Sequence, residues 1–369
     1  MHSSFAPHVQ KFVEEIIRNG KIGISAGNIA VIHPKSGCSN FEKKPLCDRF
    51  KIVIPYGGQS VTWEILFHAL YPDLPPDFIF DDGNFKPDIN DIESLCNWNP
   101  DDPTSLIQVI QQLLEKYRWQ EVMLLEDYSR LQFEYSSLIH QAGFSDSDVE
   151  VLLNRKNRNG PVNFLIRLPI DFSKLPPFLT KDNPGDDSAV LLVTFQTPDG
   201  SRITPQLYLS PRVEQALGGN AALRIPSFSS AGCLMDYVPL VRQLLSNKIE
   251  QIVVGFEKRK EYVAAFLSHY GRSIVEYEAE SFSKLSLMFE WNDFYFLLHI
   301  NIPLYFPQDK PSFMFQSIYH ANIGRPYSVI CNDYPYSPRW SGNEMAERAQ
   351  SFLLDYVPKF QRSSIENKS

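Results

Sequence analysis

The sequence predicts an α+β protein of tandem domains, each an antiparallel meander of strands flanked by helices. The main observation is a proline-rich turn that occurs twice, about 235 residues apart, as YPDLPPDFIF at residues 71–80 and FPQDKPSFMF at residues 306–315. Each copy follows an apolar, strand-like run. Proline fixes φ near −65° and removes a backbone donor, so such a turn ends a sheet and redirects the chain. Hairpin signals at Gly57-Gly58 and Asn292-Asp293 separate neighbouring runs and favour antiparallel pairing.

The first domain is predicted over residues 1–140. Apolar residues at helical spacing predict a helix over residues 7–18 that ends at Asn19-Gly20. A second helical pattern begins near Pro103 and continues towards Leu138. Tyr71 follows the last strand. An aromatic side chain buries a large area, so we expect Tyr71 to pack between the sheet and this helix, and Tyr71→Ala to cost about 3–5 kcal/mol of stability. Four runs between the helices predict strands at residues 22–25, 29–33, 50–55 and 62–70.

Residues 141–161 are rich in Gly, Asp, Ser and Asn and predict a linker. A degenerate middle copy is predicted over residues 162–254, with strands at 163–168, 189–196 and 203–209 and helices at 212–217 and 233–245. The C-terminal copy is predicted over residues 255–369. It has a helix at 257–269, strands at 273–278, 284–291 and 294–305, an irregular loop after the proline turn, and a helix at 343–356 that ends before Pro358.

Composition and motifs exclude several functional classes. The net charge of −8 and the pI near 5.6 argue against a nucleic-acid-binding protein, which would need a basic surface. No apolar run is long enough to span a membrane, and no targeting segment is visible. Metal-ligand, P-loop, dinucleotide and serine-esterase motifs are absent, so no metal or cofactor is expected. Five cysteines without a C-x-x-C pair favour reduced thiols in a cytosolic or nuclear protein.

The order of helix, meander, proline turn and helix resembles the ubiquitin-conjugating (E2) fold. Enzymes of that family carry a thioester-forming cysteine, which follows a His-Pro-Asn tripeptide whose Asn stabilises the oxyanion. In the C-terminal copy, His320-Ala321-Asn322 is followed nine residues later by Cys331. Ala replaces the Pro and the spacing is one residue too long, so we interpret these residues as a relic and predict no catalytic residues. The alternative is a divergent E2 enzyme that uses Cys331.

Four aromatic residues of the C-terminal copy cluster around prolines near this relic. They are Phe306, Tyr334, Tyr336 and Trp340. Aromatic grooves can bind extended, proline-containing peptides, so these residues are a hypothetical partner-peptide site. The alternative is that they only close the core against the last helix.

Longer strings resemble the brain and reproductive organ-expressed (BRE) family over nearly the whole chain. These are CDRFK at 47–51, YPDLPPDFIF at 71–80, LYLSPR at 207–212, ALGG at 216–219, EYVAAFLSH at 261–269 and YPYSPRW at 334–340. The resemblance implies tandem ubiquitin-E2-variant (UEV/RWD-type) domains without catalytic activity. It implies a scaffold subunit of the BRISC complex and of its nuclear DNA-damage counterpart, the BRCA-A complex, in cytoplasm and nucleus.

The same resemblance implies the partners. They are a zinc-dependent deubiquitinase selective for polyubiquitin joined through lysine sixty-three, its Abraxas-type pseudo-enzyme partner, and a von Willebrand factor A-like subunit called MERIT-forty. Some E2-variant domains hold ubiquitin non-covalently, so a ubiquitin receptor is a further alternative.

Overall fold

Three antiparallel sheets with flanking helices make up the structure, which is a computed structural model of the chain. It describes residues 5–25, 27–37, 46–68, 70–154, 157–176, 186–219, 223–229 and 231–366. The chain divides into a first unit (residues 1–170, 187–210 and 225–243) and a second unit (residues 171–186, 211–224 and 244–369). The predicted α+β class is confirmed, because helices accompany sheets whose neighbouring strands all pair antiparallel.

The N-terminal sheet of the first unit has the strand order β1-β2-β3-β4. Its strands are β1 (Ala30–Lys35), β2 (Arg49–Tyr56), β3 (Gln59–Leu66) and β4 (Asp77–Phe80). The helices of this part are α1 (Pro7–Asn19), α2 (Glu93–Cys96), α3 (Ser105–Met123) and α4 (Ser129–His140). Alternate residues of β2 are buried, as a strand with one face on a core requires. Apolar residues of α1, α3 and this sheet form one core cluster.

The middle sheet belongs to the same unit and has the order β5-β6-β7-β8. Its strands are β5 (Val149–Leu153), β6 (Val162–Arg167), β7 (Ala189–Phe195) and β8 (Ile203–Leu209). Strand β5 corrects the interpretation of residues 141–161 as a linker. Four of its five residues are buried, and the surrounding polar residues concealed this short run.

The second unit contains the third sheet, in the order β13-β12-β11-β10-β9. Its strands are β9 (Ile274–Tyr277), β10 (Lys284–Trp291), β11 (Phe294–Asn301), β12 (Ser312–Asn322) and β13 (Arg325–Cys331). The irregular loop that we predicted after the proline turn is therefore a hairpin, β12–β13. It turns at Ile323 and Gly324, both with positive φ.

The remaining helices are α5 (Pro211–Ala216), α6 (Leu234–Tyr270) and α7 (Gly342–Glu366). Two helices that we predicted separately are the single helix α6, and the boundary between the two units falls within it. Helix α7 continues through Pro358, where we predicted its end. Residues on both sides of the proline, Val357 and Phe360, are buried in the core of the second unit, so packing holds the helix together. None of the described helices has the length and apolar character needed to cross a membrane.

Tyr71 was expected in the core, but 60% of its surface is exposed. Other aromatic residues fill the core beside β3 and β4. Phe80 packs against Trp63 with ring centroids 5.3 Å apart, and Phe85 packs against Phe80 at 4.7 Å. Residues 71–75 of the proline turn are exposed, whereas Pro76 is buried.

Candidate functional site

The hairpin β12–β13 determines where the three residues of the E2-like relic lie. His320 and Asn322 are at the end of β12, whereas Cys331 is the last residue of β13. Asn322 pairs with Arg325 next to the turn, and Cys331 pairs with Phe313 at the other end of the hairpin. A strand rises about 3.3 Å per residue, so Asn322 and Cys331 are separated by roughly 20 Å. An oxyanion donor must lie about 3 Å from the reacting oxygen, and the structure does not bring these two residues together for that chemistry.

His320 has a structural position instead. Its Nδ1 atom lies 2.9 Å from Oγ of Ser364 in α7 and 3.5 Å from Oγ of Ser317 in β12. The imidazole also stacks on Phe294, with ring centroids 6.1 Å apart. Both serines are buried. His320 therefore connects the last helix to the sheet.

Three of the described thiols, Cys331, Cys47 and Cys233, are poorly suited to nucleophilic catalysis. Cys331 is only 7% exposed and belongs to the core of the second unit. Burial raises the pKa of Cys47, and burial together with the Asp236 carboxylate raises the pKa of Cys233. A raised pKa lowers the thiolate fraction, which is the reactive form. Cys96 is exposed, and Cys38 lies outside the described residues.

The four aromatic residues of the hypothetical peptide site do not form an open groove. Phe306 and Tyr334 are buried, and the ring of Tyr334 stacks on Phe313 with centroids 4.0 Å apart. The structure corrects the hypothesis for these two residues, because a core residue cannot line a groove. Tyr336 and Trp340 pack on the same core but are only partly buried, so for them the peptide site stays a prediction.

A turn of the N-terminal sheet contacts the middle sheet in a way that the sequence analysis missed. Gly57 and Gly58 connect β2 to β3 with φ of +54° and +76°. A Cβ atom on Gly57 would lie 2.6 Å from Cβ of Leu152, and one on Gly58 would lie 2.8 Å from Cδ1 of Leu192. Glycine is required here both by the positive φ and by this close approach.

Glu150 of β5 is the polar centre of the contact. Its side chain is buried, and its two carboxylate oxygens accept hydrogen bonds from the backbone N–H groups of Ile24 at 2.8 Å and Gly57 at 2.9 Å. Asn163 of β6 donates its amide to the carbonyl oxygen of Gly57 at 2.9 Å. Burial raises the pKa of Glu150, an effect that these N–H groups and the positive charge of Arg118 partly offset. The contact is therefore specified by hydrogen bonds as well as by packing.

Two further buried carboxylates hold backbone groups within the first unit. Glu121 of α3 accepts from the backbone N–H of Leu153 at 2.9 Å. Glu134 of α4 accepts from the backbone N–H of Leu234 at 2.6 Å and pairs with Arg130 at 2.6 Å. Burial raises the pKa of Glu134 despite these partners. A signal was present in the sequence, because Glu121 lies one turn after Tyr117 on the apolar stripe of α3, where a lone carboxylate needs a partner.

The sequence model of the brain and reproductive organ-expressed protein (BRE) family matches residues 3–321. The chain belongs to the BRE family. A relative from Branchiostoma floridae, named "BRISC and BRCA1-A complex member 2", is 51% identical over 98% of this chain and 96% of its own length. A relative of the same name from Danio rerio is 44% identical over 99% of this chain and 97% of its own length.

The BRE family match covers the first unit and the second unit as far as residue 321, and the two relatives, which match 98% and 99% of the chain, extend the similarity beyond that point. Among the described residues of this family member, no group of three or more His, Cys, Asp or Glu side chains is placed to hold a metal ion. The features that the structure does assemble are buried carboxylate contacts, which hold the first unit together, and exposed apolar side chains at its surface.

Proposed function

We propose that the chain is a non-catalytic scaffold subunit of a deubiquitinase complex. The observation that carries the proposal is the end-to-end similarity to two relatives that are both named as members of the BRISC and BRCA1-A complexes. Sequences that share about half of their residues over the full length share a fold, and with it the surfaces on which an assembly is built.

In finer detail, we propose that the scaffold bridges two sets of partners in the cytoplasm and nucleus. One is a zinc-dependent deubiquitinase selective for lysine-sixty-three-linked polyubiquitin, with its Abraxas-type partner. The other is the von Willebrand factor A-like subunit MERIT-forty. The separation of Asn322 from the buried Cys331 supports the non-catalytic part of the proposal, since an E2 reaction needs both groups at one carbonyl.

The experiment has two parts, and each tests one half of the proposal. The purified chain is incubated with ubiquitin, ubiquitin-activating enzyme and ATP, with Cys331→Ser as the matched control. We expect no thiol-sensitive ubiquitin adduct on either protein. An adduct on the wild type that Cys331→Ser loses would establish the divergent E2 enzyme instead.

The second part mixes the chain with the deubiquitinase pair and with the von Willebrand factor A-like subunit, separately and together. Native mass spectrometry should detect each binary assembly and a complex containing all subunits, because a bridging scaffold binds both sets at once. If only one set binds, or if the two sets bind each other without the chain, the bridging role is wrong.

A partner-peptide site is retained in the proposal for Tyr336 and Trp340. Trp340 lies under the guanidinium of Arg348 in α7, 4.2 Å from the ring centroid, and keeps part of its surface exposed. Trp340→Ala should weaken binding of the von Willebrand factor A-like subunit by at least about 2 kcal/mol if it is a hot spot, with the deubiquitinase pair still bound. Loss of both partners together, or of the fold, would assign Trp340 to the core.

One observation favours ubiquitin binding as a second candidate function. The face of the third sheet opposite its core exposes Met288, Tyr295 and Ile330. An open apolar sheet face is a surface on which a small folded protein can dock. Titration of isotopically labelled ubiquitin with the full chain would test this by NMR. Shifts that Ile330→Glu abolishes would support a receptor, and unchanged spectra at millimolar concentration would rule it out.

A further inference from the structure

Helix α3 has a second apolar stripe on the side away from the core. Its inner face is buried through Leu113 and Tyr117. On the outer face, Trp119 is 66% exposed and Met123 is 42% exposed. Trp119 and Met123 are four residues apart, so they lie on the same side of the helix. Tryptophan carries the largest apolar surface of any side chain and is the residue type most enriched in binding hot spots, so this exposure calls for a partner.

A groove of about 710 Å³ runs along this stripe. One wall is α3, from Gln112 to Met123, and the other includes Asp91 and Glu93 at the start of α2. The two walls are fixed to each other, because Gln112 accepts hydrogen bonds from the backbone N–H and the hydroxyl of Ser94 at 3.0 and 2.8 Å. The groove is therefore formed before any partner binds.

The charges around the groove select the kind of partner. Asp91, Glu93 and Glu115 line it together with a single cation, Lys116. Lys116 already pairs with Asp91, with 3.2 Å between Nζ and Oδ2. Glu115 pairs with Arg118 at 3.6 Å, but its side chain stays 70% exposed and can also meet a partner's cation. Within the described part of the chain, Glu93 makes no ion pair. The groove is therefore an apolar strip with an acidic border, which is complementary to an apolar surface flanked by Lys or Arg.

We propose that this groove docks an amphipathic helix of a partner protein, whose apolar side chains cover Trp119 and Met123 and whose Lys or Arg residues face Glu93 and Glu115. Residues 112–123 extend over about 17 Å, or three helical turns. A helix satisfies its own backbone hydrogen bonds, whereas an extended peptide would find few backbone partners along α3, whose N–H and C=O groups bond within the helix. A second copy of this chain fits poorly, because two acidic borders would face each other. The inference rests on the proposed scaffold function, and it names one surface and the chemistry of its partner.

The first test measures affinity in the assembly proposed above. Trp119→Ala, Met123→Ala and the double variant Glu93→Lys with Glu115→Lys are compared with wild type for binding to each partner subunit. Phe133→Ala is the apolar control, since Phe133 is 47% exposed on α4, and Glu347→Lys is the charge control on α7. We expect Trp119→Ala to lower the affinity for one partner at least about 20-fold, and Met123→Ala to lower it about 5-fold.

The charge-reversal variant should bind the same partner with lower affinity than wild type. The loss should be larger at about 50 mM salt than at about 500 mM, because salt screens exposed charges. Both controls should stay within twofold of wild type. If Trp119→Ala binds like the controls while wild type assembles, the inference is wrong and the scaffold function stands. If wild type binds no partner, the proposed function fails and the inference fails with it.

The second test identifies the occupant directly. A photo-reactive benzophenone side chain replaces Trp119 in the full chain, and the reconstituted complex is irradiated and analysed by mass spectrometry. We expect cross-links to a partner segment with apolar residues at a spacing of three or four and with Lys or Arg beside them. Cross-links to a second copy of this chain, cross-links to a proline-rich extended segment, or no cross-links at all would each overturn the proposal.

Discussion

The backbone N–H of Gly57, in the turn of one sheet, donates a hydrogen bond of 2.9 Å to the buried carboxylate of Glu150, in the edge strand of the next sheet. The same turn accepts the amide of Asn163 at its carbonyl oxygen. Glu150 also accepts a hydrogen bond of 2.8 Å from the backbone N–H of Ile24. Two polar contacts at this tight turn and a third between Glu150 and Ile24 mean that the N-terminal and middle sheets fold against each other as parts of one unit.

Gly57→Ala should therefore destabilise the first unit. The added Cβ would meet Cβ of Leu152 at 2.6 Å, and the residue would have to keep a φ of +54°. Crowding and left-handed backbone each cost about 1–3 kcal/mol, so we expect a loss of at least about 2 kcal/mol in urea denaturation. Gly83→Ala is the control, since no atom lies within 4 Å of its added Cβ. Equal stability of the two variants would show that the turn has room to move.

Glu150→Gln tests the buried carboxylate through pH. Burial raises the folded-state pKa of Glu150 above its ordinary value of 4.5. A raised pKa means that the folded state binds the proton more tightly than the unfolded state does. The stabilisation that this tighter proton binding gives to the folded state is complete below the pKa of Glu150 in the unfolded state. It is lost as pH rises through the pKa of Glu150 in the folded state. Gln does not titrate, so the stability of wild type relative to the variant should fall as pH rises from about 4.5 through the raised folded pKa.

The measurement is a pair of urea titrations, one for wild type and one for Glu150→Gln, at a series of pH values from about 4 to 8. Glu134, whose pKa burial also raises, is present in both proteins, and its effect cancels in the difference. Gln has one oxygen where the carboxylate has two, so one N–H loses its acceptor, and an offset of about 1–3 kcal/mol is expected at every pH. A stability difference that increases with pH would contradict the direction of the pKa shift.

Thiol labelling tests the placement of the relic cysteine. In a Cys38→Ser background, a maleimide should modify the exposed Cys96 within minutes under native conditions. Cys331 is 7% exposed in the core of the second unit, so its modification should require unfolding. Peptide mapping after timed quenching gives the two rates. Comparable rates for Cys331 and Cys96 would show that the hairpin end is open and would revive the thioester alternative.

Two substitutions to alanine compare Tyr71, which we expected in the core, with Trp63, which lies in the core. Trp63 is 1% exposed and contacts Phe80 and Phe85, so Trp63→Ala should cost about 3–5 kcal/mol. Tyr71 is 60% exposed, so Tyr71→Ala should change stability by less than about 0.5 kcal/mol. Thermal melts of both variants give the comparison. A large loss for Tyr71→Ala would place that side chain back in the core.

The strands that the sequence predicted well are those whose signal is local. Strands β2, β3, β10 and β11 alternate or run apolar on both sides of a two-residue turn, and both pairs form antiparallel hairpins at the predicted turns. Strand β12 carried a similar signal, since Phe313, Phe315 and Ser317 alternate inward. The polar and Gly-Pro-containing stretch that follows, up to Pro326, concealed this strand and its partner β13.

The candidate sites were harder to predict because burial depends on contacts far along the chain. Glu150 lies 93 residues from Gly57, and nothing near either residue indicates the other. The four aromatic residues near the relic all pack in or against one core, and whether such residues form core or groove depends on the helix that covers them. For Tyr334 that helix is α7, through Phe352 at 6.0 Å between ring centroids.

Pro358 provides the last prediction, since it lies inside a helix that continues for eight further residues to Glu366. Proline has no N–H for the carbonyl of Leu354 and is about 3 kcal/mol less favourable than alanine within a helix. The buried Val357 and Phe360 keep the helix on the sheet despite this cost.

Pro358→Ala should therefore stabilise the second unit, by about 1–2 kcal/mol after the greater flexibility of the unfolded chain is subtracted. Urea denaturation followed by circular dichroism would measure it, with Ser351→Ala, on the exposed side of the same helix, as the control. A loss of stability in Pro358→Ala beyond that of the control would mean that the proline ring itself contributes packing that outweighs the missing hydrogen bond.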